Sequence, residues 1–306
     1  MEYYDLFSGI GGFSKAIHDV FPHAQCLGFS EIDQGKSELF LKRFPGSTAL
    51  GDVRSVQLKN LKKHPTLVTL GSPCQDLSKQ RGKNRQGLKG SKSSLFFDGV
   101  NFLKAVKPKY FIMENVANMK DEDMEIISEH LGCYPIIINS ALVSSQNRDR
   151  YYWTNIPNVD QPEDRNIVLK RGEVLVHSWS KSYRPANHSA TIKQVHFDER
   201  IRHDGKANTI IASASAGESL NFFPPEPFDL LLEPAMKRKV YKRSDLFVHK
   251  IKPEWYLTAE ECEEAQTFPI GWTEGYPEKT RKKWLGDAVT VEVIKHILSF
   301  IPSDYK

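Results

Sequence analysis

Residues 67–75 read LVTLGSPCQ, and this stretch decides the fold that the sequence predicts. The segment 67–70 is a short apolar run with β-branched residues, which is typical of a buried strand. Gly71 and Pro73 end that strand and force a turn, so Cys74 is presented at the carboxyl end of a strand. In open α/β sheets this edge binds ligands. The motif alone leaves two interpretations of Cys74 open, a catalytic nucleophile and a small buried residue.

Upstream of this motif, the sequence predicts a strand over 3–7, a glycine-rich turn over 8–13 and a helix that runs to Val20. Backbone amides in such a turn can approach a ligand closely. The turn lacks both the GxGxxG spacing and a P-loop lysine, which favours a nucleoside ligand with little or no phosphate. A tight turn without a ligand is the alternative.

Two acidic residues follow at positions that suit a nucleoside. Glu31 ends the next predicted strand about 20 residues after the turn, the offset at which a carboxylate can accept ribose hydroxyls. Asp52 follows Gly51 and could accept from an adenine amino group, or it could cap a turn. Both interpretations of Asp52 stay open.

Downstream of Cys74, the run 79–92 holds six basic residues, three glycines and no acid. It is either a solvated loop or a lid over a phosphate backbone. A helix is predicted over 95–106, a strand over 110–113 that leads into Glu114, a helix over 121–131 and a strand over 134–139. In the extended segment 146–153, Arg148 and Arg150 should share one face, either for binding or for surface salt bridges. The predicted fold class is α/β, a Rossmann-like, mixed, mostly parallel sheet flanked by helices.

Composition narrows the function classes. The 306 residues suffice for one large domain or two modest ones, and the net charge of +4 is too mild to indicate a nucleic-acid partner by itself. The four cysteines show no CxxC pair or zinc spacing, and the histidines show no ligand spacing, so no metal is expected. No apolar run reaches membrane-spanning length, and the chain enters a strand without a signal peptide. We therefore expect no membrane association and a reducing compartment.

Five motifs in one order carry a family resemblance: DLFSGIGGF at 5–13, GSPCQ at 71–75, ENV at 114–116, QNRDR at 146–150 and LGDAVTV at 285–291. In these motifs the chain resembles the cytosine-C5 DNA methyltransferases that depend on S-adenosylmethionine. The resemblance covers residues 1–153 and 256–301.

The resemblance implies an activity, methyl transfer to C5 of a flipped-out cytosine in duplex DNA. Cys74 would attack C6 as a thiolate, and Glu114 would hydrogen-bond N3. Arg150, with Arg148, would hold the base and the nearby backbone. Cytosine is a poor electrophile, so covalent attack at C6 makes C5 nucleophilic, and a base inside a duplex is reached only by flipping.

The resemblance also implies two sets of binding residues. S-adenosylmethionine, which leaves as S-adenosylhomocysteine, would contact Phe7, Ser8, Gly9, Gly11, Gly12, Glu31, Ile32, Asp52, Val53, Pro73, Leu95, Asp287, Ala288 and Val289. Double-stranded DNA would contact Gln75, Ser78, Lys79, Arg81, Lys83, Arg85 and Lys206. One departure bears on the first set, since the family usually has Gly-Asn where this chain has Gly286-Asp287. A carboxylate there could favour the sulfonium cation or disfavour the cofactor's own carboxylate.

The domain organisation follows from the same resemblance. Residues 1–153 and 256–306 would form the catalytic, cofactor-binding domain, and 154–255 a smaller target-recognition domain. A chain of this kind would act in the cytoplasm of a prokaryote, with a phage as another source, or in a eukaryotic nucleus. A restriction endonuclease partner and self-association both stay open.

Three other functions compete with this one. A tRNA cytosine methyltransferase shares the fold and motifs but usually carries a Cys-Phe-Thr tripeptide, which is absent here. A catalytically silent DNA-binding relative would have lost the nucleophile or the glutamate. A metabolic α/β enzyme using Cys74 for acyl chemistry explains neither the arginine pair nor the last motif.

Overall fold

The computed structural model describes residues 1–78, 86–91, 93–179, 201–202, 204–210, 221–223, 256–302 and 305. The chain divides into two compact units. Unit 1 comprises Met1–Val143, Arg148–Asp164 and Asp287–Lys306, and unit 2 comprises Ser144–Asn147 and Arg165–Gly286.

The regular elements are numbered in chain order. The strands are β1 (Glu2–Leu6), β2 (Gln25–Ser30), β3 (Leu67–Leu70), β4 (Tyr110–Val116), β5 (Ile136–Asn139), β6 (Gln146–Asn147), β7 (Asp149–Thr154), β8 (Lys170–Arg171), β9 (Val174–Leu175), β10 (His177–Trp179), β11 (Ile201–Arg202), β12 (Ala207–Asn208) and β13 (Asn221–Phe222). The helices are α1 (Gly12–Val20), α2 (Gln34–Arg43), α3 (Leu95–Val106), α4 (Asp121–Leu131), α5 (Ala259–Ala265), α6 (Glu278–Asp287) and α7 (Val291–Ser299).

Unit 1 is built on a six-stranded sheet with the order β2-β1-β3-β4-β7-β5. The pairs β1·β2, β1·β3 and β3·β4 are parallel, whereas β7 is antiparallel to both β4 and β5. This confirms the predicted mixed, mostly parallel α/β fold. The chain runs from β1 to β2 on one side of β1 and then crosses to β3 on its other side. A topological switch point therefore lies between the carboxyl ends of β1 and β3.

Helices cover both faces of this sheet because side chains alternate along each strand. Tyr4 and Leu6 of β1 join a buried apolar cluster that includes Phe102 of α3 and Ile127 of α4. On the opposite face, α1 packs against α7. The last helix, α7, is therefore part of unit 1.

Asp5 places a carboxyl group in the middle of the buried sheet. It is fully buried and accepts hydrogen bonds from Ser14 Oγ at 2.7 Å and from Thr69 Oγ1 at 2.9 Å. Burial disfavours the carboxylate and raises the pKa of Asp5 to about 7, although the two hydroxyl donors oppose that shift. The carboxyl group thus ties β1 to α1 and to β3 beneath the glycine-rich turn.

Unit 2 contains small sheets and the helices α5 and α6. The strands β10, β11 and β13 form an antiparallel sheet, β12 pairs with β6, and β8 with β9. Thr258 and Glu261 form a capping box at the start of α5. Within this unit, buried Glu263 accepts from Thr273 and pairs with Arg281, which fixes the turn after α5. The last residue of α6, Asp287, belongs to unit 1.

Two negative findings concern the described residues. They include no helix that is long and apolar enough to span a membrane. They also hold no group of three or more His, Cys, Asp or Glu side chains arranged to bind a metal ion.

We predict that Asp5→Asn changes the pH dependence of stability. Between pH of about 4 and 7 the folded chain keeps a proton on Asp5 that the unfolded chain has lost, so the free energy of unfolding falls as pH rises through this window. Asparagine has no such proton. Relative to the wild type, the variant should gain roughly 2 to 3 kcal/mol in free energy of unfolding between pH 5 and 8, measured by urea unfolding.

The matched control is Asp19→Asn, which removes a surface carboxylate paired with Lys15. This variant should keep the pH profile of the wild type. Parallel profiles of the wild type and Asp5→Asn would contradict the assignment of a buried proton to Asp5.

Candidate active site

Cys74 lies just beyond the carboxyl end of β3, as the sequence predicts. Its carbonyl oxygen accepts from the backbone N–H groups of Leu77 and Ser78, both at 2.9 Å, so the chain makes one tight turn after the cysteine. The Cys74 residue is half-buried and its side chain packs against the apolar cluster of unit 1. Because the thiol is held on a turn at a sheet edge, it can face a ligand.

A carboxylate and a guanidinium meet next to this turn. Glu114 on β4 pairs with Arg150 on β7, with Oε1 and Nε 2.9 Å apart, and each side chain is only 11% exposed. The antiparallel register places Val116 opposite Arg150 and Glu114 opposite Tyr152. The strand pairing therefore sets this ion pair.

Arg148 is held differently, in the gap between β6 and β7. The residue is 2% exposed, and its Nη2 donates to the carbonyl oxygen of Ala288 at 2.9 Å. Burial and the neighbouring charge of Arg150 lower the pKa of Arg148 to about 10. The predicted arginine pair thus splits into one residue bound to a carboxylate and one bound to the backbone.

The protonation of Cys74 depends on these neighbours. Burial raises the pKa of the thiol, the positive charge of Arg150 lowers it, and the negative charge of Glu114 raises it. Arg148 also lowers it, and Asp287 raises it. The thiolate, which is the nucleophilic form, is therefore controlled chiefly by burial and by the ion pair beside it.

A hydrogen-bonded amide fixes the loop that carries the thiol. Asn115 follows Glu114 on β4 and is 1% exposed. Its Nδ2 donates to the carbonyl oxygen of Ser72 at 3.1 Å and to the Ser72 hydroxyl at 3.2 Å. The loop after β3 is thus tied to the strand that carries the carboxylate.

The glycine-rich turn after β1 has the conformation that the sequence predicts for a ligand-binding turn. Phe7, Gly9 and Gly11 all have positive φ, at 56°, 56° and 84°. A Cβ atom on Gly11 would lie 2.7 Å from the ring of Phe44, so only glycine fits there. Above Gly9, by contrast, a Cβ atom would meet nothing within 4 Å. The turn is therefore closed toward the protein and open on the other side.

Glu31 is oriented by three backbone donors. Its carboxylate accepts from the N–H groups of Gly9 at 3.0 Å and of Ile32 and Asp33, both at 2.8 Å. Beside it, Ile32 is 74% exposed. A held carboxylate, an open glycine turn and an exposed apolar side chain fit a nucleoside with free ribose hydroxyls.

In this structure Asp52 caps a turn, which is the second of the two interpretations that its sequence left open. Its carboxylate caps a short 3-10 helix by accepting from the N–H of Arg54 at 3.0 Å, and it also pairs with the Arg54 side chain. The adenine contact of Asp52 stays a prediction.

Six other predicted cofactor residues lie in unit 1: Val53 and Val289, which are buried, Gly12 at the start of α1, Pro73 in the thiol loop, Leu95 at the start of α3, and Ala288. Ser8 is buried and donates its N–H to Ser30 at 3.0 Å.

The predicted DNA contacts are described only in part. Gln75 is exposed and Ser78 is buried, while Lys206 in unit 2 donates from Nζ to the carbonyl oxygen of Ser144 at 3.1 Å. Four predicted contacts lie outside the described residues: Lys79, Arg81, Lys83 and Arg85.

Sequence reasoning missed the two acids that anchor the far end of the basic run. Asp76 accepts from the N–H of Ser93 at 3.3 Å, and Asp123 accepts from the N–H of Leu88 at 3.0 Å. A Cβ atom on Gly90 would overlap the Asp76 carboxylate. The absence of acids within the run could have prompted a search for acids elsewhere.

Tyr152 and Lys36 were also missed. Tyr152 is 1% exposed, and burial raises its pKa. Its position two residues after Arg150 on the same strand could have indicated that it faces the site. Lys36 pairs with Asp287, and no local pattern joins residues so distant in the sequence.

Sequence comparison finds known proteins that this chain resembles. A family profile described as C-5 cytosine-specific DNA methylase matches residues 1–303. The chain is 32% identical over 183 residues to the orphan methyltransferase M.SPRI of Bacillus phage SPR, and 31% identical over 166 residues to the type II methyltransferase M.NlaX of Neisseria lactamica. These matches cover 56% and 51% of this chain but only 41% and 52% of the two relatives.

The fold also occurs among solved structures. The methyltransferase EhMeth of Entamoeba histolytica superposes with a TM-score of 0.65 at 19% identity, covering 100% of this chain and 99% of that one. At this identity the likeness concerns the fold alone.

We predict opposite effects on the Cys74 thiol from two conservative substitutions. Arg150→Gln removes a charge that lowers the thiol pKa, so alkylation of Cys74 by iodoacetamide at pH 8 should slow several-fold. Glu114→Gln removes a charge that raises the pKa and frees Arg150, so alkylation should accelerate. Peptide mass spectrometry after timed alkylation measures both rates.

Arg54→Gln serves as the control, because Arg54 pairs with Asp52 on the surface. Its alkylation rate should equal that of the wild type. Equal changes in the same direction for both test variants would indicate altered access to Cys74 and contradict electrostatic control.

Proposed function

Because the chain belongs to the C-5 cytosine-specific DNA methylase family, we propose that it transfers a methyl group from S-adenosylmethionine to C5 of cytosine in duplex DNA. One observation carries the proposal: Cys74, at the carboxyl end of β3, adjoins the Glu114–Arg150 ion pair on the neighbouring strands. The open glycine turn and Glu31 lie at the carboxyl ends of β1 and β2, on the same edge of the sheet.

The first step is attack of the Cys74 thiolate on C6 of the cytosine. A sulfur–carbon bond forms, and the displaced electron pair makes C5 an enamine carbon. Arg150 and Arg148 favour the thiolate against the cost of its burial. Removing water when the base enters should strengthen both charge interactions.

Glu114 donates a proton to N3 as C6 is attacked, and this proton withdraws electron density from the ring. To do so, the Glu114 carboxylate must leave the ion pair with Arg150 and take up a proton from solvent as it turns to the base. This exchange releases the Arg150 guanidinium, whose fixed donors suit the base carbonyl and a phosphate. The arriving base and Arg150 therefore compete for the Glu114 carboxyl group.

The cofactor, when bound, supplies an electrophilic methyl group on a sulfonium sulfur. Glu31 would hold the ribose hydroxyls, Ile32 would cover the adenine, and the backbone of the turn at Gly9 would contact the bound cofactor. A solvent base then takes the C5 proton, the bond between Cys74 and C6 breaks, and the N3 proton returns to Glu114.

DNA binding is assigned by chemistry and by family. A cytosine inside a duplex is inaccessible to Cys74, so it must be flipped out. We assign the run 79–92 to the phosphate backbone behind the flipped base, together with Gln75, Ser78 and Lys206. We assign residues 154–255 to target recognition.

The expected product is 5-methylcytosine in DNA. We predict that the wild type with S-adenosylmethionine methylates unmethylated genomic duplex DNA, detected by nucleoside mass spectrometry, and that Cys74→Ser lowers the yield at least 1,000-fold, roughly as for loss of other covalent nucleophiles. A duplex with 5-fluorocytosine should accumulate a covalent adduct at Cys74, since fluorine cannot leave as a cation.

A parallel incubation with tRNA separates the competing functions. Methylated tRNA with unmodified DNA would contradict the DNA substrate while leaving cytosine methylation in place. DNA binding without either product would favour a silent relative, and a modified product from Cys74→Ser would rule out the adduct mechanism.

A further inference from the structure

Lys36 and Asp287 form an ion pair that the proposed mechanism does not use. Lys36 Nζ lies 3.1 Å from Asp287 Oδ2, and the two residues are 251 positions apart in the sequence. The Lys36 side chain is 13% exposed and that of Asp287 is 34% exposed. Both residues belong to unit 1.

A chain of contacts locates this pair between the two halves of the candidate site. On one side, the N–H of Lys36 donates to Asp33 Oδ1 at 3.1 Å, and the N–H of Asp33 donates to Glu31 at 2.8 Å. On the other side, the residue after Asp287 accepts from Arg148 at 2.9 Å. The pair thus connects the carboxylate assigned to the ribose with an arginine beside the thiol.

Electrostatics agrees with this location. The pKa of Lys36 is raised by the charges of Asp287, Glu31 and Asp33, which outweigh an opposing burial effect. The charge of Asp287 also reaches Cys74, where it raises the thiol pKa. Asp287 therefore acts on both the sugar side and the thiol side.

The chemistry of the cofactor specifies what should occupy this position. In the proposed function, its sugar would lie at Glu31 and its methyl group would face a base attached to Cys74, so its amino-acid arm would lie between these two residues. That arm carries an ammonium and a carboxylate at neutral pH. One anion and one cation, held side by side, match it.

We propose that Asp287 and Lys36 together bind the amino-acid portion of the cofactor, Asp287 accepting from the ammonium and Lys36 donating to the carboxylate. The inference rests on the proposed function, since it concerns the ligand of the same site. It also removes the conflict that Asp287 raises from the sequence alone, because Lys36 supplies the cation that the cofactor's carboxylate needs. Charge-assisted hydrogen bonds on both ends select the intact zwitterion.

The alternative role is a tether that only joins α2 to the segment after α6. Partly exposed ion pairs contribute little to stability, typically 0 to about 1 kcal/mol. The two roles differ in ligand selectivity. A tether affects every ligand and the folding stability alike, whereas a recognition pair affects only ligands with the amino-acid arm.

The test compares two ligands by isothermal titration calorimetry on the full chain: S-adenosylhomocysteine, and methylthioadenosine, which lacks the amino and carboxyl groups. Lys36→Met and Asp287→Asn should each weaken S-adenosylhomocysteine at least about tenfold. Both should leave methylthioadenosine within about twofold. Lys42→Met and Glu38→Gln, exposed substitutions on the same helix, should change neither affinity.

Two results would overturn the inference. The first is an unchanged affinity of both variants for S-adenosylhomocysteine. The second is an equal loss of affinity for both ligands, together with a lowered thermal unfolding midpoint. Failure of the proposed function is distinguishable: a wild type that shows this selectivity yet makes no 5-methylcytosine would contradict methylation alone. A wild type that methylates DNA while Lys36→Met binds normally would contradict the ion-pair role alone.

Discussion

The parallel pairing of β1 with β3 is the constraint on which the rest of the molecule depends. Its register sets Leu6 beside Leu70, so both strands end at the same level. The glycine turn that follows one strand and the thiol loop that follows the other therefore start side by side. The hydrogen bond from Thr69 on β3 to Asp5 on β1 stabilises this pairing, and the one from Ser14 joins β1 to α1. In the proposed function, a nucleoside site and a nucleophile would thus arise from one backbone arrangement, before any side chain contributes selectivity.

The candidate reactive groups lie on or beside neighbouring strands, and the charges of two of them act on the pKa of the third. Cys74 follows β3, Glu114 lies on β4 and Arg150 lies on the antiparallel β7. The ion pair between the last two keeps a negative and a positive charge near the thiol, where they act on its pKa in opposite directions. A base that takes over the carboxyl group would leave the positive charge in place. In the proposed mechanism, substrate binding and activation of the nucleophile would thereby be coupled through a single contact.

Much of this arrangement could be predicted from local sequence. The segment 67–70 and the helices at 95–106 and 121–131 have strong local patterns, and all three occur with the predicted bounds. The strand predicted over 134–139 begins later, at Ile136, because strand ends depend on a partner strand. Non-local contacts could not be predicted: neither the pairing of Arg150 with Glu114 nor that of Lys36 with Asp287 leaves a periodic trace. Arg148 and Arg150 were expected to act together, but the break between β6 and β7 gives them different partners.

The exposure of Ile32 has a thermodynamic consequence. In the chain without ligand, this side chain presents apolar surface to water beside a fixed carboxylate. Covering it with a flat heterocycle removes that surface from water, and burial of apolar area lowers the heat capacity of the system. The binding enthalpy should therefore become more negative as temperature rises. A ligand that reached only the carboxylate, without the ring, would lack most of this temperature dependence, so calorimetry distinguishes contact with the sugar from contact with the base.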